Sequence, residues 1–521
     1  MAIWSQALPI MFGNNPFTES GTHPSYAKDA SGKITGLAGL SVLSLAEQKN
    51  AFTVSLFGDS LTNACTTVSA SALANNTLGY YTFLNTLARG RLKLIGEYGY
   101  SGFKATDMLA NLSTVVAAGA EICIYESGAN AIPAYLTAPL ATELAADETI
   151  IRALTANGRV CIVTACPPRT EAISIPAMAK YLADLNNGKK ALCDSIQGAI
   201  YVDWFSVLAA PDTGDWVSGY NNVDGVHPIA KGALYAARAI FNRIDGMLGT
   251  VRPLDNNKFD PTNLWWNGQL QGANASGTGG FVAGTGVTGN GPDGHRIQRS
   301  AGSMAAVLSS ASRPTDDIRG GNCLQLAITG DGTGANNITL QYRALSAAWT
   351  NSASVAKGEA RRPTTPNGYR YVMISANGTA GSAEPTWPTT LGATVTDNAS
   401  KVWLCVEDFN AGDVIRLLVD FAPDSFSGDF HVYGSIQAVN ESSTILFTSS
   451  DLLNVYDTAT QPAFGSGFQP AGRLVTLPMT IPSGTTRLYF NVFVAAATGV
   501  TGNLKITSCR VEKVTYTVTQ A

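Results

Sequence analysis

A serine hydroxyl is a poor nucleophile until a base takes its proton and a carboxylate orients that base. The chain carries those three parts in the order Ser, Asp, His. Gly58-Asp59-Ser60-Leu61 directly follows a short apolar run, Phe52 to Phe57, and Asp224-Gly225-Val226-His227-Pro228 lies far downstream. The chain has four histidines, His23, His227, His295 and His431, and only His227 has an acidic residue three positions before it in an expected loop. That spacing lets Asp224 reach one imidazole nitrogen and leaves the other free to accept the Ser60 proton. Alone, each piece also reads as plain structure. Asp-Ser after a strand is a common turn or helix cap, and Asp224 could serve backbone donors in a helix-capping loop with His227 exposed. The two motifs together, at opposite ends of one βα region, are much more specific.

The elements around these residues alternate. Apolar strands are predicted at 52–57, 92–97, 121–126, 159–165 and 199–203, with helices near 79–89, 105–117, 138–155 and 175–196. A last helix follows Pro228 and puts Leu234, Ala237, Phe241 and Ile244 on one face. Alternation of this kind predicts a parallel sheet covered on both faces. Ser60 would then sit at the carboxyl end of a strand, where open α/β sheets bind ligands, and Gly58 would let the chain turn there. Two further segments can donate hydrogen bonds to a developing oxyanion: Gly99-Tyr-Ser-Gly102 after the second strand and Gly128-Ala129-Asn130 after the third. Either is also a plausible turn. Glu126, at the end of the third strand, is unusual there; it either lines the site or is hydrogen-bonded locally.

These four blocks, in this order on these elements, resemble the GDSL, or SGNH, hydrolase family over residues 51 to 247. The resemblance implies a flavodoxin-like α/β/α sandwich with five parallel strands. It implies Ser60 as nucleophile, His227 as general base and Asp224 as its orienting carboxylate. The oxyanion donors would be the Ser60 backbone N–H, Gly102 and Asn130. Two departures stand out. The family's third block usually reads Gly-x-Asn-Asp, and here Ala131 replaces the Asp. Its second block often begins with Asn, which this one does not.

Length and composition frame the rest. At 521 residues the chain has room for two or three domains, and only 14% is charged, against about 25% in typical domains. The net charge of −4 without a basic run disfavours nucleic acid as a partner. No 18-residue apolar stretch is present, so no membrane span is expected, and the start reads as lacking a conventional signal peptide. Eight cysteines without a C-x-x-C spacing read as buried thiols rather than disulfides or metal ligands, and no cofactor is called for. The expected architecture is multidomain: an irregular segment 1–50, the hydrolase domain 51–248, and a jelly-roll-like β-sandwich 252–344 plus 409–521. A small β module, 345–408, is inserted into the sandwich. Period-two runs such as Leu324, Leu326 and Ile328, or Leu488, Phe490, Val492 and Val494, support the sandwich. The insert, with Pro363 to Tyr369 and Glu384 to Pro388, resembles a module of phage tail and virion-associated proteins. Trp265, Trp266, Trp349, Trp387, Trp403 and Tyr433 could stack on sugars, as in carbohydrate-binding jelly rolls, or fill cores.

Together these features predict an esterase that works through an acyl-serine, removing acetyl groups from a carbohydrate such as a bacterial surface polysaccharide. A phage tail or the cell exterior is the expected setting, and a homo-oligomer is compatible with it. Two rivals remain: a short-chain lipase or arylesterase, and a receptor-binding tail protein that has lost activity.

Overall fold

The computed structural model describes residues 26–28, 34–37, 40–41, 51–451 and 471–520, apart from short gaps at 77, 250, 252–253, 255–257, 301, 316, 318–319, 332–336, 346, 428–429 and 497. Within the segment expected to be irregular, Tyr26–Lys28, Ile34–Leu37 and Leu40–Ser41 pair antiparallel. The sequence Val251-Arg252-Pro253 reads as a linker, and Arg252 and Pro253 lie outside the described residues. Two compact units emerge: residues 1–66, 77–251 and 518–521, and residues 67–76 with 252–517.

The first unit is built on five parallel strands: β1 (Phe52–Gly58), β2 (Leu92–Gly99), β3 (Ile122–Tyr125), β4 (Val160–Thr164) and β5 (Ala199–Val202). Their order is β5-β4-β3-β1-β2, with Thr519–Gln520 added parallel to the outer edge of β2. Every residue of β3 and β4 is buried, as continuous apolar runs in a doubly covered parallel sheet should be. Four longer helices accompany it: α1 (Tyr80–Leu87), α2 (Leu140–Thr155), α3 (Pro176–Ser195) and α4 (Ala230–Ile244). Leu234, Ala237 and Ile244 of α4 are fully buried, and Phe241 partly so. The helix expected over 105–117 is broken by a 3-10 turn at Leu109–Asn111. Pro228 precedes α4 rather than opening it, whereas Pro176 does open α3.

The boundaries differ from expectation at two places. Ala72–Asn75, inside the expected hydrolase range, pairs parallel with Ile445–Asp451 in a sheet of the second unit, and Asn75 Nδ2 donates to Val475 O at 2.9 Å. The segment reads Ala-Leu-Ala-Asn, without a β-branched or aromatic residue to announce a strand, so only the partner strand makes it one. Conversely, the last residues, expected in the sandwich, join the sheet of the first unit.

The second unit holds an eight-stranded and a seven-stranded sheet. Alternate residues of their long strands point inward: Leu417, Val419 and Phe421 from one sheet, Leu488, Phe490, Val492 and Val494 from the other, all buried. The sheets meet closely, since a Cβ placed on Gly434 would lie 3.2 Å from Leu417 Cδ2. Between Leu345 and Val414 four short strands, 360–361, 369–373, 402–407 and 394–396, form a separate sheet around Trp349, Tyr371, Met373, Trp403 and Cys405. All eight cysteines are buried and free.

Candidate active site

Ser60 opens a single helical turn, Ser60–Asn63, right after β1. Asp59 caps that turn by accepting the Leu61 N–H at Oδ1, 3.0 Å away. Gly58 is required by close packing: a Cβ there would come 2.7 Å from Glu126 Oε2 and 2.9 Å from Glu126 O. The strand end therefore presents the Ser60 hydroxyl at the carboxyl edge of the sheet.

His227 arrives from the loop before α4. Its Nε2 lies 2.8 Å from Ser60 Oγ, and its Nδ1 lies 2.8 Å from Asp224 Oδ2. The second Asp224 oxygen accepts the backbone N–H groups of Val226 at 2.9 Å and His227 at 3.0 Å. Burial disfavours charge on this carboxyl. The His227 and Val226 N–H groups and the imidazole outweigh that, and hold it below its ordinary range. The imidazole and carboxylate side chains keep 38% and 40% of their surface exposed, so substrate can approach. The loop itself is pinned. Trp216 Nε1 donates to Gly225 O at 3.0 Å, Thr170 N donates to the same oxygen at 3.1 Å, and Asn222 N donates to His227 O at 2.7 Å. Gly225 has φ +70°, and a Cβ there would lie 2.7 Å from Thr170 Cβ, so glycine is needed on both counts. Sequence spacing thus brought Asp224 to His227, and the fold brings both to Ser60.

The expected oxyanion donors are placed less simply. Gly102, φ +84°, is exposed in the turn closed by Phe103 N donating to Tyr100 O at 3.1 Å. Asn130 follows β3 and is partly buried. Its Nδ2 donates to Asp59 Oδ2 at 3.1 Å and to Phe103 O at 3.0 Å, so both amide hydrogens already have acceptors. A substrate oxyanion would have to compete for one of them. Ala131, where the family usually has Asp, is fully buried among Leu61, Ile132 and Leu185.

Sequence reasoning missed what lies beneath Ser60. Asp59 and Glu126 are both fully buried and adjacent. Glu126 Oε2 also accepts the Asp59 N–H at 3.1 Å, which makes its bonding local rather than part of an open site. Burial raises both carboxyls, and the Asp59 charge pushes Glu126 well above its ordinary range. Asp59 accepts from Leu61 N and Asn130 Nδ2, so charge on Asp59 is the better stabilised of the two. Behind the same strand end, buried Lys189 donates to Ser127 O at 2.8 Å, and buried Asp147 accepts from Ser127 Oγ at 2.8 Å and Tyr125 Oη at 2.7 Å. These residues lie far apart in the chain, and only the isolated charge of Glu126 in an apolar strand hinted at them. A small apolar pocket adjoins Leu61 and Pro228, lined also by Tyr80, Trp204 and Trp216.

Most of the aromatic residues considered for sugar stacking are interior. Trp265, Trp266, Trp349 and Trp403 are buried, and Trp387 stacks on Tyr371 at 4.2 Å within the 345–408 insert. Tyr433 differs: it is only partly buried, and it stacks on Phe493 at 4.5 Å. Among the described residues no helix is long and apolar enough to cross a membrane.

No family model matches the chain, and no curated protein matches it in sequence. Solved structures do align with part of it. A GDSL-like lipase from Bacteroides thetaiotaomicron is 16% identical, covering 40% of this chain and 94% of its own, at a TM-score of 0.31. A catalytic mutant of an acetylxylan esterase from Geobacillus stearothermophilus is 15% identical, covering 39% and 100%, at 0.32. A lipase from a goat rumen metagenome is 13% identical, covering 39% and 100%, at 0.31.

Proposed function

We propose that the chain is a serine-dependent carboxylic ester hydrolase. The observation that carries this reading is the continuous hydrogen-bonded line from Ser60 Oγ through the His227 ring to Asp224. As Ser60 Oγ attacks an ester carbonyl carbon, its proton passes to His227 Nε2. The Asp224 carboxylate holds the Nδ1–H side and stabilises the imidazolium. The tetrahedral oxyanion takes the Ser60 backbone N–H, with Gly102 N–H and Asn130 Nδ2 as the further donors if Asn130 gives up Asp59 or Phe103. Collapse expels the alcohol, which receives the proton from His227, and leaves an acyl-serine. Water, deprotonated by the same imidazole, then releases the acid and restores Ser60.

The substrate class proposed is an acetylated carbohydrate on a bacterial surface, with a phage tail as the setting. Two features support it: the resemblance of the 345–408 insert to tail modules, and the presence of a large β-rich unit in the same chain as the Ser60, His227 and Asp224 line. The test runs chromogenic esters of increasing acyl length beside acetate release from acetylated polysaccharides. Acetyl esters should be hydrolysed fastest, with acetate released from polymer. Preference for long acyl chains would make the protein a lipase instead. No turnover of any ester would leave it a binding protein with a silent triad.

A further inference from the structure

The outward face of the eight-stranded sheet carries three arginines on three neighbouring strands. Arg296 lies opposite Gln341, Arg343 opposite Tyr489, and Arg487 opposite Leu345. The alternate residues Ile297, Tyr342, Leu488 and Phe490 are buried on the inward face, so the three arginines share the outward one. None of them forms an ion pair with a carboxylate among the described residues. Arg343 Nε donates to Gln341 Oε1 at 2.6 Å and its guanidinium lies 5.2 Å from the Tyr489 ring centre. Arg487 reaches only Ser443 Oγ, at 3.3 Å, and Arg296 Nε is buried without a partner. Elsewhere the same unit pairs its arginines carefully: Arg313, Arg361, Arg362, Arg416, Arg473 and Arg510 each meet a carboxylate at 3.0 Å or closer. Arg299 and Arg370, which also meet no carboxylate, lie singly and donate to backbone carbonyls instead, whereas Arg296, Arg343 and Arg487 gather on one face.

The same face also carries half-buried Gln341, Leu345, Tyr433, Tyr489 and Phe493, with Asn491 and Ser435 buried beneath them. Gln341 Nε2 donates to Asn491 Oδ1 at 2.8 Å, and Asn491 Nδ2 reaches Ser435 Oγ at 3.3 Å. Tyr433 and Phe493 stack beside them. We propose that this face binds an acidic polysaccharide, with Arg296, Arg343 and Arg487 receiving sugar carboxylates and Tyr489 a sugar ring face. Guanidinium forks match carboxylates bidentately, amides match hydroxyls, and rings cover the apolar face of a sugar. Nucleic acid fits poorly, because the chain is net −4 and offers no extended basic track. The proposal rests on the second unit alone, and the triad reading stands or falls without it.

The full-length protein is run in native gels containing polygalacturonate, alginate or neutral dextran, and binding is titrated by calorimetry. Retardation is expected in the two polyuronates and absent in dextran, weakening with added salt. Arg343→Gln and Arg487→Gln should each lower affinity about tenfold at unchanged Tm. Gln341→Ala should weaken binding without changing its salt dependence. Several results would overturn the proposal: equal retardation by dextran, no retardation by either polyuronate, or wild-type affinity in the arginine variants. Binding to DNA as tight as to the polyuronates would make the face a general polyanion patch instead of a glycan site.

Discussion

At the scale of single residues, the proposed reaction depends on three side chains in line, and their removal should not be additive. Ser60→Ala and His227→Ala should each cost on the order of 10³-fold or more in kcat/KM, and the double variant little more than either. Full kinetics of the three variants on one acetyl ester check this; losses that multiply would show that the two residues do not work as a unit. Glu126 has a different task. It lies beneath the Ser60 turn, where burial and the Asp59 charge hold its carboxyl well above the ordinary range, and it accepts the Asp59 N–H. Glu126→Gln keeps a neutral group of the same shape and should stay within a few-fold of wild type. Glu126→Ala should lower kcat by tenfold or more with little change in KM, because a shifted nucleophile loses alignment rather than substrate. A matching loss in both variants would remove Glu126 from that task. The hydrogen-bonded line of Ser60, His227 and Asp224 was legible because Asp224 and His227 are three apart and Ser60 follows an apolar run. The Asp59–Glu126 contact was not, because it joins residues 67 apart that meet only once β1 and β3 pair.

At the scale of elements, β1 to β5 were visible as apolar runs and needed only their order. The outer edge of β2 was not visible. There Glu97 is buried and accepts from Thr66 Oγ1 at 2.8 Å, and the terminal strand brings Gln520 against both. Burial raises the Glu97 carboxyl to about 7, against the hydrogen bonds from Thr66 and Gly99. The folded protein thus binds this proton more tightly than the unfolded chain. The contribution is complete below the ordinary carboxylate value of 4.5 and is lost as pH rises toward about 7. Glu97→Gln should flatten the fall of Tm with pH over that window relative to wild type. Identical Tm-against-pH curves would show that Glu97 titrates alike in both states. The long helix expected at 105–117 is divided by the 3-10 turn at Leu109–Asn111.

At the scale of the whole molecule, composition announced a β-rich second half near residue 250, and period-two patterns marked its inward faces. Composition could not say which aromatics face outward, and most of the tryptophans proved to be core. Nor could it show that the units exchange segments, with 67–76 in the second and 518–521 in the first. A protein ended near Met247 should therefore be less stable than the full chain. It lacks the parallel partner of Ala72–Asn75 and the edge strand Thr519–Gln520. It should retain Ser60, Asp224 and His227 and hydrolyse small acetyl esters below its lowered Tm. Thermal unfolding and ester assays on both lengths check this. An unchanged Tm would mean that the exchanged strands contribute nothing to the first unit.

The most direct measurement of the central claim is covalent. Full-length protein treated with a fluorophosphonate should gain one adduct, mapped by peptide mass spectrometry to Ser60. Labelling should be absent in Ser60→Ala and strongly slowed in His227→Ala, because the imidazole at 2.8 Å is what activates the hydroxyl. An adduct on another residue, or labelling of Ser60 at the same rate without His227, would contradict the account.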